Sequence, residues 1–151
     1  MRYMGIVGHE KAKFTATTED RARAIIRELL APEDVVLVSG GCHLGGIDIW
    51  AEEEADKLGR TKVIYKPDVL TWDGFGFGGR GFKQRNLEIA EKSDVVHCIV
   101  VESMPATFKG RKRDYCYHCK TAAHVGSGGC WTAKRCKEAV WHVVSAGPVN
   151  E

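Results

Sequence analysis

Apolar residues occur along this chain in short blocks that alternate between β-branched runs and stripes at helical spacing. Tyr3 to Val7 predicts a buried strand ending at Gly8-His9. Thr17-Thr18-Glu19-Asp20 opens a helix whose positions Ala22, Ile25, Ile26, Leu29 and Leu30 share a face, and Pro32 ends it. Asp34 to Val38 reads as a strand covered on both faces, running into Ser39-Gly40-Gly41 and on to Gly45-Gly46. A second helix follows, with Ile47, Ala51, Ala55 and Leu58 on one stripe and Gly59 as its stop. Glu52, Glu53 and Glu54 read as its solvated face. Lys62 to Tyr65 predicts the third strand, Phe82 to Lys92 the third helix and Asp94 to Val101 the fourth strand. Thr132 to Lys137 reads as a short helix and Ala139 to Val144 as the last strand.

Strand–helix alternation of this kind predicts an α/β fold, a parallel sheet with helices on both faces. Ligands of such sheets bind beyond the carboxyl ends of the strands. The glycine clusters at 40–46, 74–81 and 126–129 all fall at that edge, where backbone must turn tightly or approach a ligand closely. The long loop from Asp68 to Gly81 carries Trp72, Phe75 and Phe77 among its glycines. Those rings suit stacking on a base, closing as a lid, or burial against a second subunit of a homo-oligomer.

Composition narrows the picture little. At 151 residues, one domain spanning 1–151 is expected, large enough to bury roughly 70% of its unfolded surface. A charged fraction of 28% and a net charge of +2 give no general pull toward nucleic acid or membrane. The opening residues Met1 to Gly8 are too quickly interrupted for a signal segment, which points to the cytoplasm. Six cysteines in that setting read as thiols or metal ligands rather than disulfides.

Their spacing changes the picture more. Cys116 and Cys119 are separated by two residues, His124 follows after four more and Cys130 after another five. A Cys-x2-Cys pair bends back so that both thiolates reach one ion, and a short loop supplies the other soft ligands. The spacing is one residue longer than a retroviral-type zinc knuckle. We therefore expect a structural zinc on Cys116, Cys119, His124 and Cys130, against the plainer alternative of a loop of unpaired thiols. His118 and Cys136 are the substitutes for a ligand. Cys136 is disfavoured because Ala133, Cys136 and Val140 share a helical stripe that should face the sheet. Cys98, inside a strand, reads as core. Residues 102–130 thus form an inserted basic and zinc-binding loop, with Lys109-Gly110-Arg111-Lys112-Arg113 at its centre.

Three segments resemble the SLOG superfamily, the Rossmann-like group that includes cytokinin-activating phosphoribohydrolases and the DNA-processing protein A. They are Val38-Ser39-Gly40-Gly41 with Gly46-Ile47-Asp48, then Arg85-Asn86-Leu87-Glu88-Ile89-Ala90 with Ser93-Asp94, and finally Ser127-Gly128-Gly129-Cys130-Trp131-Thr132-Ala133. The resemblance implies a Rossmann-like three-layer sandwich with a mainly parallel five-strand sheet in the order 3-2-1-4-5. It further implies a nucleotide or nucleotide-derived ligand, with phosphate held by backbone amides and Arg85 in the position of the family's phosphate-contacting arginine. The phosphoribohydrolases carry a Pro-Gly-Gly-x-Gly-Thr-x-x-Glu loop. The matching stretch here, Gly126 to Arg135, has no carboxylate, which argues against that type of hydrolysis.

The candidate ligand-binding set is Gly8, His9, Ser39, Gly40, Gly41, Gly45, Gly46, Asp48, Arg85, Asn86, Ser127, Gly128, Gly129 and Thr132. Asp48 serves equally well as a helix cap. Arg85 opposes its own helix dipole, a conflict that a bound phosphate would resolve, so its removal should cost little stability. His9 and His43 read as turn residues, with general-base chemistry as the sharper alternative. The favoured function is a binding module or sensor for a nucleotide. An N-glycosidic hydrolase or transferase acting on nucleoside monophosphates through a pocket glutamate is the enzyme alternative. Single-stranded nucleic-acid binding through the basic loop, with Tyr115 and Tyr117 stacking on bases, is the third.

Overall fold

In a computed structural model, residues 1–74, 79–110 and 114–147 are described. Five strands form one sheet: β1 (Arg2–Gly8), β2 (Val35–Ser39), β3 (Lys62–Ile64), β4 (Val95–Val101) and β5 (Ala139–Val144). Their order is β3-β2-β1-β4-β5 and every pairing is parallel, as expected. The register sets Met4 beside Leu37, Ile6 beside His97 and Ile99 beside His142. Phe75, Phe77 and Arg111 to Arg113 lie outside the described residues.

Alternate side chains of the central strands feed two cores. Helices α1 (Ala16–Leu30) and α2 (Ile47–Leu58) cover one face, where Ile26, Leu30, Trp50 and Ala51 meet Ile6, Leu37 and Ile99. On the other face Val7, Val38, Val96 and Cys98 meet Ile89 of α3 (Phe82–Lys92) and Cys130 and Ala133 of α4 (Gly128–Ala133). Cys116 joins that second core, so the Cys-rich segment is packed onto the sheet.

Local chemistry sets the helix ends. Helix α1 starts earlier than expected because Thr15 caps it reciprocally: the Thr18 N–H donates to Thr15 Oγ1 and the Thr15 N–H to Thr18 Oγ1. Gly59 closes α2 in the left-handed conformation at φ 71°. Two expectations need correction. The last helix spans Gly128–Ala133 rather than 132–137, because the Ser127 hydroxyl caps the Gly129 N–H and starts the helix inside the glycine turn. Glu54 is not solvated: it is 2% exposed, and its carboxylate faces Arg23, Arg27 and Lys57 at 3.3–3.4 Å. Three successive helical residues point about 100° apart, so the glutamates cannot all share one face. Among the described residues no helix is long and apolar enough to cross a membrane.

Candidate functional site

The turns after β1, β2 and β4 converge with the start of α3 at the carboxyl edge of the sheet. There a cavity of about 300 Å³ is lined by Gly8, Asp48, Arg85, Asn86, Gly128, Gly129 and Thr132, together with Cys42, Trp72 and Phe82. Three separate stretches of sequence-expected residues therefore meet in one place. Gly41 and Gly45 line a neighbouring cavity of about 370 Å³ with His43, Lys66 and, again, Arg85. Ser127 and Gly128 face a larger one on the other side.

Close packing brings the turns together. A Cβ at Gly8 would enter the Ile99 carbonyl of the adjacent strand. Gly46 has φ 87°, and a Cβ there would run into the His9 carbonyl oxygen. The Ile47 N–H donates to that same carbonyl at 3.1 Å, tying the β1 turn to the start of α2.

Arg85 is buried between the turns. Its Nη1 donates to the Gly40 carbonyl at 2.6 Å and its Nε to Asn86 Oδ1 at 2.7 Å. The guanidinium also lies 5.5 Å over the Phe82 ring. Asp48 lies beside it and accepts the Cys42 N–H at 3.1 Å. Burial pushes the Asp48 carboxyl up to about 6, while Arg85 and the Cys42 N–H pull the other way. The expectation that Arg85 is dispensable to the fold is thereby revised. Within the chain it already has a carbonyl and a carboxylate to answer its charge.

Four expected residues act behind the cavity rather than in it. The Ser39 hydroxyl is fully buried and donates to Glu52 Oε2 at 2.7 Å. Gly40 presents its carbonyl to Arg85, and Gly46 packs against the 9–11 turn. His9 accepts the Val101 N–H on Nδ1 at 3.1 Å, which fixes the tautomer; its Nε2–H then donates to the Gly126 carbonyl at 2.8 Å. Burial first, then Lys13, drives its pKa down to about 3, so the ring stays neutral and both nitrogens are engaged. It positions the Gly126 turn and is not set up as a base. His43 is exposed and stacks on Phe82 at 6.4 Å.

Cys116, Cys119, His124 and Cys130 form a group that could hold a metal ion, with all four ligand atoms within 4.8 Å of one another. A short antiparallel bridge between Cys116 and Thr121 closes the Cys-x2-Cys turn, with Lys120 at φ 55°. The Cys119 N–H donates to Cys116 Sγ at 3.4 Å, an arrangement that stabilises negative sulfur. His124 donates its Nδ1–H to the Val125 carbonyl at 2.8 Å and so leaves Nε2 for an ion. The edges of a zinc tetrahedron with these donors are about 3.5–3.8 Å, within reach of small side-chain adjustments.

Electrostatics within the cluster favour charge on one sulfur. Hydrogen bonding from Cys98, whose Sγ is 4.0 Å away, holds Cys130 down at about 5 against the opposing effect of burial. Burial and the Cys130 charge push Cys119 up to about 12. Trp141 Nε1 also favours the Cys130 thiolate, yet it has no partner at hydrogen-bonding distance. This buried N–H faces the sulfur without bonding it. Three thiols, an imidazole and an orphaned N–H donor beside them fit a soft divalent metal.

The substitutes considered for a ligand fall away. His118 is exposed, and its carbonyl accepts Lys134 Nζ. Cys136 Sγ donates to the Ser93 carbonyl at 3.5 Å. Cys136 follows α4 instead of lying on it, yet it packs against the same core as Ala133, as expected, and lies outside the Cys/His group. Sequence reasoning missed Cys42, Phe82, Phe108 and Trp131 as cavity walls. Trp131 stood inside a quoted motif, immediately after a metal ligand, and that adjacency was the available signal.

No family model matches the chain, and no curated protein matches it. Among solved structures, TM1055, a structural-genomics target, is similar with a TM-score of 0.51 and 20% identity over 66% of this chain and 61% of that one. The Moco carrier protein of Chlamydomonas rheinhardtii aligns at TM-score 0.44 and 18% identity, over 64% of this chain and 60% of that one. DNA processing protein A (DprA) of Streptococcus pneumoniae aligns at TM-score 0.45 and 13% identity, over 92% and 58%. The chain thus spans about three fifths of the length of each. Strand order, all-parallel pairing and the likeness to TM1055 together give this chain a Rossmann-like fold.

Proposed function

We propose that this protein binds a nucleotide or nucleotide-derived phosphate ester at the carboxyl edge of its sheet, as a sensor or binding module, and carries a structural zinc. One observation supports this reading above others. Arg85, Asn86, Gly128, Gly129 and Gly8 surround a single small cavity although they come from three distant segments. Arg85 spends Nε and one Nη1 bond within the chain, and a guanidinium has five N–H donors, so donors remain for a phosphate. Chain 1–151 is read as one domain, with 102–130 as an insertion that brings the metal to the same edge. The zinc has four protein ligands and no open position, so its part is structural.

The N-glycosidic alternative keeps one supporting observation. None of Glu52, Glu53 and Glu54 lines the cavity, but Asp48 does, with a carboxyl that is half protonated near pH 6.

Calorimetric titration with a panel of nucleoside mono-, di- and triphosphates tests the binding reading, and chromatography of the same mixtures for free base tests the enzymatic one. Arg85→Ala should weaken binding about ten- to a hundredfold. It should also cost about 1–3 kcal/mol of stability, because the Gly40 carbonyl loses its donor. Unchanged affinity in that variant would make Arg85 a purely structural residue.

A further inference from the structure

Beside the small cavity lies a second, of about 750 Å³, whose walls include five aromatic rings, Trp72, Phe108, Tyr115, Tyr117 and Trp131, alongside Glu10 and Lys13. The two cavities share Trp72 and Gly128 as wall residues, so they adjoin. We propose that this larger cavity is the subsite for a planar heteroaromatic base, which makes the ligand a nucleotide recognised through its base as well as its phosphate. The assignment rests on the phosphate reading of the adjoining cavity.

The rings are both exposed and held in place. Tyr117 is 77% exposed, Trp72 42% and Tyr115 38%, an unfavourable display of apolar surface for side chains gathered around one concavity. Trp72 meets Trp131 edge-on at 4.8 Å, and Arg135 covers Trp131 at 3.7 Å. Tyr115 and Tyr117 brace each other at 5.0 Å. Rings fixed before binding lose little freedom when a base inserts. Stacking on such rings needs no particular base edge, and it is worth roughly ten- to a hundredfold in affinity per base.

Chain connectivity shows what fixes the walls. Tyr115 and Tyr117 flank Cys116, and Trp131 follows Cys130, so the metal ligands set the positions of three of the five rings. A cavity of about 750 Å³ lies in the range of small-molecule sites.

The test uses the full chain, with AMP, GMP, CMP, UMP and ribose 5-phosphate titrated calorimetrically. Wild type should hold at least one nucleotide ten times more tightly than ribose 5-phosphate. Tyr115→Ala/Tyr117→Ala should reduce that nucleotide to the ribose 5-phosphate level and leave ribose 5-phosphate unchanged. Tyr115→Phe/Tyr117→Phe, which keeps both rings, should retain the wild-type preference. Phe108→Ala, which lines the larger cavity alone, should repeat the selective loss even where the tyrosine variant fails to fold. Ribose 5-phosphate binding as tightly as every nucleotide would overturn the base subsite and leave the phosphate reading standing. Binding of none of the five would overturn both. Salt-steep binding of a ten-residue oligothymidylate without mononucleotide binding would reassign the cavity to single-stranded nucleic acid and also overturn the proposal.

Discussion

Replacing Asp48 by asparagine should stabilise this protein at neutral pH and leave it unchanged in acid. The carboxyl titrates near 3.8 in an unfolded chain and at about 6 here, mainly because it is buried. That rise corresponds to about 3 kcal/mol, the cost of keeping the ionised form in this environment. Because the folded pKa is raised, the native state holds the extra proton between about pH 4 and 6, and stability from this group falls as pH rises through that window. Asparagine has no charge to desolvate and retains an oxygen for the Cys42 N–H. The variant should therefore gain about 1–3 kcal/mol at pH 8 and about nothing at pH 4. Urea unfolding of both proteins at five pH values measures the gap directly. Neutral buried His9 and His97, whose pKa values are driven down by burial, act in the opposite direction but cancel in the difference. An equal gap at pH 4 and pH 8, or a less stable variant at pH 8, would refute the reasoning.

Protein purified without added zinc should carry about one equivalent of metal, and Cys116→Ser/Cys119→Ser none; a fully folded, metal-free wild type would refute the zinc assignment. Gly46→Ala should cost more than about 2 kcal/mol in thermal or urea unfolding, because its φ of 87° and the His9 carbonyl both exclude a Cβ. A loss below about 0.5 kcal/mol would mean that the turn adapts. Trp141→Phe should weaken metal retention about tenfold in chelator competition by removing the N–H aimed at Cys130. Unchanged retention would assign Trp141 to packing alone.

Much of the fold was legible because the strands are short, mostly apolar runs and each of the first three helices has one apolar stripe. The metal cluster was legible because its ligands are close in sequence. The last helix was not. Its first turn is built of Gly128 and Gly129, which propensity assigns to a loop, and only the Ser127 cap and burial of Cys130 override that preference. Arg85 misled in a different way. Its conflict with the helix dipole was visible, but its answer in the Gly40 carbonyl and Asp48 depends on two turns meeting in space. Glu54 repeats the lesson, since its partners Arg23 and Arg27 sit on another helix. Side chains that satisfy distant charges are the ones periodicity cannot place.

The position of Cys130 would tie a metal held by this group to the carboxyl edge of the sheet more tightly than an appended loop would. Its neighbour on one side, Gly129, is packed so closely that a Cβ there would lie 3.0 Å from the Gly8 nitrogen and 3.2 Å from Cys98 Sγ. Its neighbour on the other side, Trp131, walls the aromatic cavity. An ion that pulls Cys130 toward Cys116 and Cys119 therefore acts on both cavities through one six-residue helix. His9 secures the preceding Gly126 turn from the opposite side, through a neutral ring that bridges β4 and the turn. A phosphate over Gly128 and Gly129 would draw on that same fixed geometry. Linkage then requires reciprocity: whatever factor the metal adds to ligand affinity, the ligand adds to metal affinity. A segment that had merely been inserted at a tolerant surface loop would show no such coupling, because nothing in it would touch the cavity walls.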